Sequence, residues 1–206
     1  MKLKKWELAG MVTLFLVFTY FAAAGTMQEN VAEKLVRLHV IANSDTQADP
    51  GLKLQVRDAV LEITEQISED CRNTGETRQA LRQHLPEIEE AAQGVVWEEG
   101  YDYTVKAELK EEFYPSKAYC NFALPAGYYT GLQVKIGEAR GHNWWCVVFP
   151  PLCTATATEE SFTGFTEEET CFVRQDGTRY ALRFKAAELV EQLRYHLGES
   201  REKPKK

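Results

Sequence analysis

The sequence predicts an α+β fold: a mostly antiparallel sheet packed with two N-terminal helices and a C-terminal amphipathic helix, preceded by a signal peptide. Three observations carry this prediction. An apolar run follows a short basic lead at the N-terminus. From Asp49 to Gly94 apolar residues recur at spacings of three and four, the helical period. From Tyr101 onward the period drops to two, which is the signature of strands with one wet face.

The leader comes first. Met1-Lys2-Leu3-Lys4-Lys5 is basic, and Ala9 to Gly25 is apolar apart from Thr13, Thr19 and Tyr20. Ala22-Ala23-Ala24 supplies the small residues that a signal peptidase accepts, so residues 1–24 have the layout of a secretory signal peptide. The run also reaches the lower limit for spanning a bilayer, and an uncleaved anchor fits the same residues. Either alternative exports Thr26 onward, because the lysines stay inside. The remainder is expected to be a single exported domain, 26–198, followed by a basic tail, 199–206, that ends Lys203-Pro204-Lys205-Lys206.

Within the domain, Leu35 to Ala42 alternates as a strand, and Asn43-Ser44-Asp45 turns it. Asp49 is the expected helix cap, with Pro50 at the first helical position. Leu52, Val56, Ala59, Val60, Ile63 and Ile67 make the buried face, and Lys53, Arg57, Glu62 and Glu65 the outer one. Asn73-Thr74-Gly75 breaks this helix. Leu81, Leu85, Ile88 and Ala92 mark a second helix, which Pro86 should kink or split near Leu85 and Gly94 should end. Tyr101 to Lys110 and Tyr119 to Leu124 are the next strands. Pro125-Ala126-Gly127 is a turn, Tyr128 to Ile136 a strand, and Gly137 to Gly141 a hairpin loop. Asn143 to Phe149 is apolar on both faces and reads as a central strand, stopped by Pro150-Pro151. Thr154 to Thr170 lacks a period and reads as a surface loop. Cys171 to Arg174 reads as a short strand turned by Asp176-Gly177. Leu182, Ala186, Leu189, Val190, Leu193 and Leu197 form the closing helix, ending at Gly198.

Composition narrows the function. The chain has a formal net charge of -7, and its leader is basic, so the exported part is more acidic still. That argues against nucleic acid as a partner, since phosphate contacts need clustered Lys and Arg. Five cysteines, an odd number, leave at least one thiol free or paired between chains. Cys146 and Cys153, flanking Pro150-Pro151, are the candidate disulfide pair, with small buried thiols as the alternative. His39, His84, His142 and His196 have no His or Cys at helical spacing, and no metal, phosphate-loop or cofactor motif occurs. Neither a metal nor a cofactor is expected. Ser44 and Asp45 lie near His39 in sequence, but Asn-Ser-Asp after a strand is ordinary turn chemistry, and no nucleophile elbow is present. Cys146 sits in the most apolar run of the chain, where a thiolate is disfavoured. No catalytic residue is assigned. The adjacent Trp144 and Trp145 point to opposite faces of their strand, so one can be core while the other packs under a helix or anchors a partner.

Four blocks together resemble the stage II sporulation protein R family: Leu35 to Asp45, Leu52 to Val60, Asn121 to Gly127 and Gly141 to Cys153. The resemblance covers roughly Val31 to Cys153 together with the leader, and the acidic stretch from Thr158 to Thr170 departs from it. It implies a signalling protein of endospore-forming bacteria, made in the forespore and exported across its membrane into the intermembrane space, either secreted or N-terminally anchored. There such proteins trigger a membrane-embedded aspartic protease of the mother cell, which removes the pro-sequence from sigma-E. The family member is an activator rather than a peptidase. Signal peptidase and the secretion machinery are its transient partners. The expected contact surface is His39, the Asn43-Ser44-Asp45 turn and the Gly141-His142-Asn143-Trp144 corner, because loops on a rigid scaffold commonly carry recognition. The competing class is an exported cysteine or serine hydrolase of the cell envelope using Cys146 or Ser44; a third is a purely structural envelope module.

Overall fold

A computed structural model describes residues 4–119, 122–152, 162, 164–174 and 178–199. The chain falls into two compact units, one of residues 32–112 and 129–164, the other of 1–31, 113–128 and 165–206. Helices and a mixed sheet make it α+β, as the periodicities predict.

The first unit holds the sheet. Strand β1 (Val36–Ile41) leads into helix α2 (Asp49–Ser68), then α3 (Thr74–Gln83) and α4 (Leu85–Glu98). Strands β2 (Val105–Tyr114), β5 (Gly127–Ile136) and β6 (Asn143–Phe149) complete a four-stranded sheet in the order β2-β5-β1-β6. β1 runs parallel to β5, with Leu38 opposite Leu132, and antiparallel to β6, with Leu38 opposite Cys146. The expected hairpin between β5 and β6 therefore does not form: β1 lies between them, and Gly137 to Gly141 bridges over its end. β6 is consequently an edge strand of this sheet instead of a central one, although Cys146, Val147 and Val148 are all buried.

One face of the sheet carries the core. Leu38, Val40, Leu132, Val134, Ile136, Cys146 and Val148 pack with Leu52, Val56, Val60, Leu81, Ile88, Ala92 and Val96 of the helices. The predicted stripes supply these contacts because burying them removes about 25 cal/mol of unfavourable hydration per Å² of apolar surface. Of the two outcomes expected at Pro86, a kink or a split, the split occurs, with His84 between α3 and α4. Asn73 starts α3, its side chain accepting the Glu76 N–H at 3.0 Å.

Several boundaries differ from expectation. Ala48, not Asp49, is the N-cap of α2, because the Asp49 carboxylate is already taken by Ser44 and Asn43. Gly94 lies inside α4, which ends only at Glu98 before Gly100 turns the chain at φ 79°. Tyr101 and Tyr103 precede β2 and stack on one another at 5.3 Å.

The second unit contains most of α1 (Lys5–Glu33), the short strands β3 (Lys117–Ala118) and β4 (Ala123–Leu124), α5 (Glu167–Arg174) and α6 (Thr178–Glu199). β3 and β4 pair antiparallel, so the strand expected over Tyr119 to Leu124 is confined to its last two residues; residues 120 and 121 lie outside the described set. The core of the unit includes Ala24, Val31, Leu124, Phe172, Val173, Phe184 and Ala187. Gln28 packs so tightly on Gly127 that a Cβ there would stand 2.8 Å from its Cδ.

Cys171 to Arg174 is helix, not strand, and α5 also takes in the end of the expected loop; residues 153–161 and the Asp176-Gly177 turn lie outside the described set. The cause is a reciprocal cap that the sequence carried as Thr166-x-x-Glu169: the Thr166 N–H donates to Glu169 Oε2 (2.7 Å), and the Glu169 N–H to Thr166 Oγ1 (3.2 Å). α6 forms where expected but runs past Gly198, and its leucine stripe is not the buried face. Phe184, Ala186 and Ala187 are buried, whereas Leu182, Leu189 and Leu193 are exposed. α1 is long and apolar enough to cross a membrane, with most of its apolar stretch exposed, and is compatible with a signal peptide or a membrane anchor.

Candidate functional site

The expected contact residues separate into two groups on the sheet-bearing unit. The first is a corner where the loop after β1 meets the loop between β5 and β6. The Gly141 N–H donates to the Ala42 carbonyl (2.9 Å), and the Arg140 N–H to the Asn43 carbonyl (3.0 Å). Asn43 binds both loops with its side chain: Oδ1 accepts the Glu138 N–H (3.0 Å), and Nδ2 donates to Asp49 Oδ2 (3.1 Å). Gly141 is required by close approach. A Cβ there would stand 2.7 Å from the Ser44 carbonyl carbon and 2.8 Å from the Ala42 Cβ. Gly137, at φ 56°, serves the same contact, since its Cβ would stand 2.9 Å from Asn43 Cγ.

On this frame Asp45 and His142 are joined and exposed. Asp45 Oδ1 accepts the His142 backbone N–H (2.6 Å) and also bonds the imidazole Nδ1. The side-chain bond to His142, with help from that backbone N–H, holds the Asp45 carboxyl below its ordinary value. Beneath them lies Asp49. Burial opposes its ionisation, but hydrogen bonds from Ser44, Asn43 and Thr46 outweigh it and lower its pKa. Ser44 Oγ donates to Asp49 at 2.5 Å, so the hydroxyl is engaged in holding the turn.

Two residues of the corner were assigned elsewhere from sequence. Lys53, placed on the outer side of α2 by periodicity, is buried, and its Nζ donates to the His142 carbonyl (2.9 Å). Burial lowers its pKa, opposed by the Asp45 charge. Asp49, placed as a helix cap, instead anchors the turn. Lys53 stands three and seven residues before Val56 and Val60, the spacing of one helix face, so its burial was legible in the period although its charge argued for the outer side; Ser44 and Asp49, five residues apart, are likewise a local pattern that a turn search could find.

His39 belongs to a different group, on the sheet face opposite the helices. Its ring stacks on Trp145 at 3.8 Å, and Nδ1 lies 2.9 Å from Glu112 Oε1. Gln133 Nε2 donates to Glu112 Oε2 (2.7 Å), and Lys110 Nζ donates to Gln133 Oε1 (2.8 Å). Glu108 receives Lys135 (2.5 Å) and Lys110 (3.0 Å), which hold its carboxyl below the usual range. This ladder crosses β2, β5 and β1 and fixes strand register by side-chain pairing. Arg37, fully buried, lies over the Tyr129 ring at 4.9 Å.

The remaining expected residues divide between these surroundings. Asn143 is exposed and sits opposite Ile41 at the start of β6. Trp144 packs under α2, where the Arg57 guanidinium covers its ring at 4.6 Å. The two tryptophans thus point to opposite faces. Cys146 is buried and disulfide-bonded, which leaves no thiolate there. Cys153, its expected partner, lies outside the described residues. Cys71 and Cys171 are free thiols. Among the described residues no group of three or more His, Cys, Asp or Glu could hold a metal ion.

The family model for stage II sporulation protein R matches residues 32–159, which include the whole corner and the His39 ladder. The chain is 38% identical over 124 residues to the stage II sporulation protein R of Bacillus subtilis, a match covering 60% of this chain and 55% of that protein. No solved structure matches. The chain belongs to the stage II sporulation protein R family.

Proposed function

We propose that the chain is an exported intercellular signal of sporulation. Its domain would be exported across the forespore membrane and, folded in the space between the two cells, contact the membrane-embedded aspartic protease of the mother cell that processes pro-sigma-E. Family membership is the observation that carries this reading. The apolar N-terminal helix supports export. A signal of this kind works through differential affinity: it favours the active receptor only by as much as it binds that state better. The exposed Asp45–His142 pair suits such contact, because the loops beneath it are fixed by backbone bonds, Lys53 and the buried Asp49.

The test is Asp45→Ala and His142→Ala, each as the sole copy in sporulating cells. Immunoblots would follow pro-sigma-E maturation and the amount of exported protein. Maturation is expected to fall sharply while the exported protein stays at parental level. Normal maturation in both variants removes the corner as the contact surface, and normal maturation after deletion of the gene removes the signalling role. Asn43→Ala is a poor substitute, because Asn43 ties the two loops together and its loss would weaken the fold.

A further inference from the structure

The exposed face of α6 differs in character from the rest of this acidic chain. Leu182, Lys185, Leu189, Gln192, Leu193 and His196 are all exposed and fall on one side at helical spacing. No acidic residue is among them, although the chain carries 31 acidic side chains. The acids of this segment turn away from that face. Glu188 is mostly covered and takes Lys185 Nζ at 2.9 Å, and Glu191 is buried and takes Arg194 Nη1 at 2.7 Å. A helix facing only water would have no reason to expose three leucines and turn its glutamates aside.

The neighbour of this helix indicates what covers it. α1 is apolar and exposed along Leu14, Phe15 and Phe18, then becomes buried at Ala24, Gln28 and Val31. α6 is fastened to that same junction. A Cβ at Gly25 would stand 3.6 Å from Val190 Cγ1, and Arg194 Nη1 donates to Glu29 at 2.6 Å. Leu193 follows Val190 by three residues and is its neighbour on the helix surface. The leucine face thus adjoins the point where the membrane-compatible segment enters the folded unit.

We propose that the Leu182-Leu189-Leu193 face of α6 lies in the headgroup layer of an anionic bilayer, as an interfacial helix beside the N-terminal segment. Leucines over a neutral-to-basic rim are the pattern such helices use, with the apolar side chains sunk at the headgroup boundary and the cations among anionic lipids.

Photo-crosslinking of the full chain tests this. Leu189→benzoylphenylalanine and Leu193→benzoylphenylalanine variants are reconstituted in vesicles of phosphatidylcholine and phosphatidylglycerol, irradiated and analysed by mass spectrometry. Phospholipid adducts at both positions are expected. Gln192→benzoylphenylalanine replaces either leucine variant that fails to fold. Adducts to a second copy of the chain, or no lipid adduct from this face, overturn the proposal. Adding Lys185→Gln to the Leu189 variant should lower adduct yield about fivefold in vesicles containing phosphatidylglycerol and leave it unchanged in phosphatidylcholine alone, given about 1 kcal/mol per basic residue at an anionic surface. Equal yields with and without the Lys185 change in phosphatidylglycerol vesicles also overturn it.

Discussion

Gly141→Ala tests the corner most directly. The added Cβ would stand 2.7 Å from the Ser44 carbonyl carbon and 2.8 Å from the Ala42 Cβ, distances that real Cβ atoms do not show. The obstacle is backbone, so no flexible side chain can swing aside. Overpacking of this kind costs about 1–3 kcal/mol. The loops must separate, which weakens Gly141 N–H to Ala42 (2.9 Å) and Arg140 N–H to Asn43 (3.0 Å). These bonds contribute about 1 kcal/mol each. A loss of about 3 kcal/mol is a large share of the roughly 5–15 kcal/mol that domains possess. At about 2–4 °C per kcal/mol, Tm should fall by about 10 °C. Near-ultraviolet circular dichroism of the detergent-solubilised chain would follow this through Trp144 and Trp145, which lie in the same unit. Hydrogen exchange at the Glu138 and His142 amides should accelerate in parallel. A Tm within about 2 °C of the parent would refute the close packing of the two loops.

Gly94→Ala should act in the opposite direction. Nothing lies within 4 Å of the new Cβ, and the residue sits inside α4, so a gain of about 0.5–1 kcal/mol in denaturant unfolding is expected. Asn73→Ala removes the acceptor of the Glu76 N–H and should cost about 1 kcal/mol, with the loss appearing as faster exchange at the start of α3. Acid should loosen the corner. Asp45 and Asp49 both have folded pKa values below the ordinary 3.8, so their stabilisation is complete above that value and is lost as pH falls through the folded values. Denaturant midpoints measured from pH 7 to pH 2 should therefore drop below about pH 4. Asp49→Asn should flatten that drop, and an unchanged slope in this variant would remove Asp49 from the account.

Legibility followed the range of the interactions involved. Pro86 announces the break between α3 and α4, and Asn43-Ser44-Asp45 announces a turn, because both effects act within a few residues. Thr166 and Glu169 carried a cap signature of the same local kind, which places α5 where a loop and a strand are otherwise expected. The partner of Lys53 is different: the carbonyl that accepts from its buried Nζ belongs to His142, 89 residues away. Likewise His39 and the Asn43 turn are close in sequence but reach separate surroundings, because β1 ends at Ile41: His39 meets its cross-strand neighbours on the sheet, whereas Asn43 already lies in the loop that meets Glu138.

By itself the sequence determined the α+β class, the apolar N-terminal segment, the amphipathic helices α2 to α4 and, through four idiosyncratic blocks, the family. Each of these is written in a local period, a composition or a contiguous run. Only the tertiary structure decided that β1 enters between β5 and β6, that β6 lies at an edge, and that Asp45 meets His142. Strand order is a choice among long-range pairings, all compatible with the same alternation. It is settled by which arrangement buries the helix-facing side chains while meeting every backbone hydrogen bond, and no window of neighbouring residues contains that information.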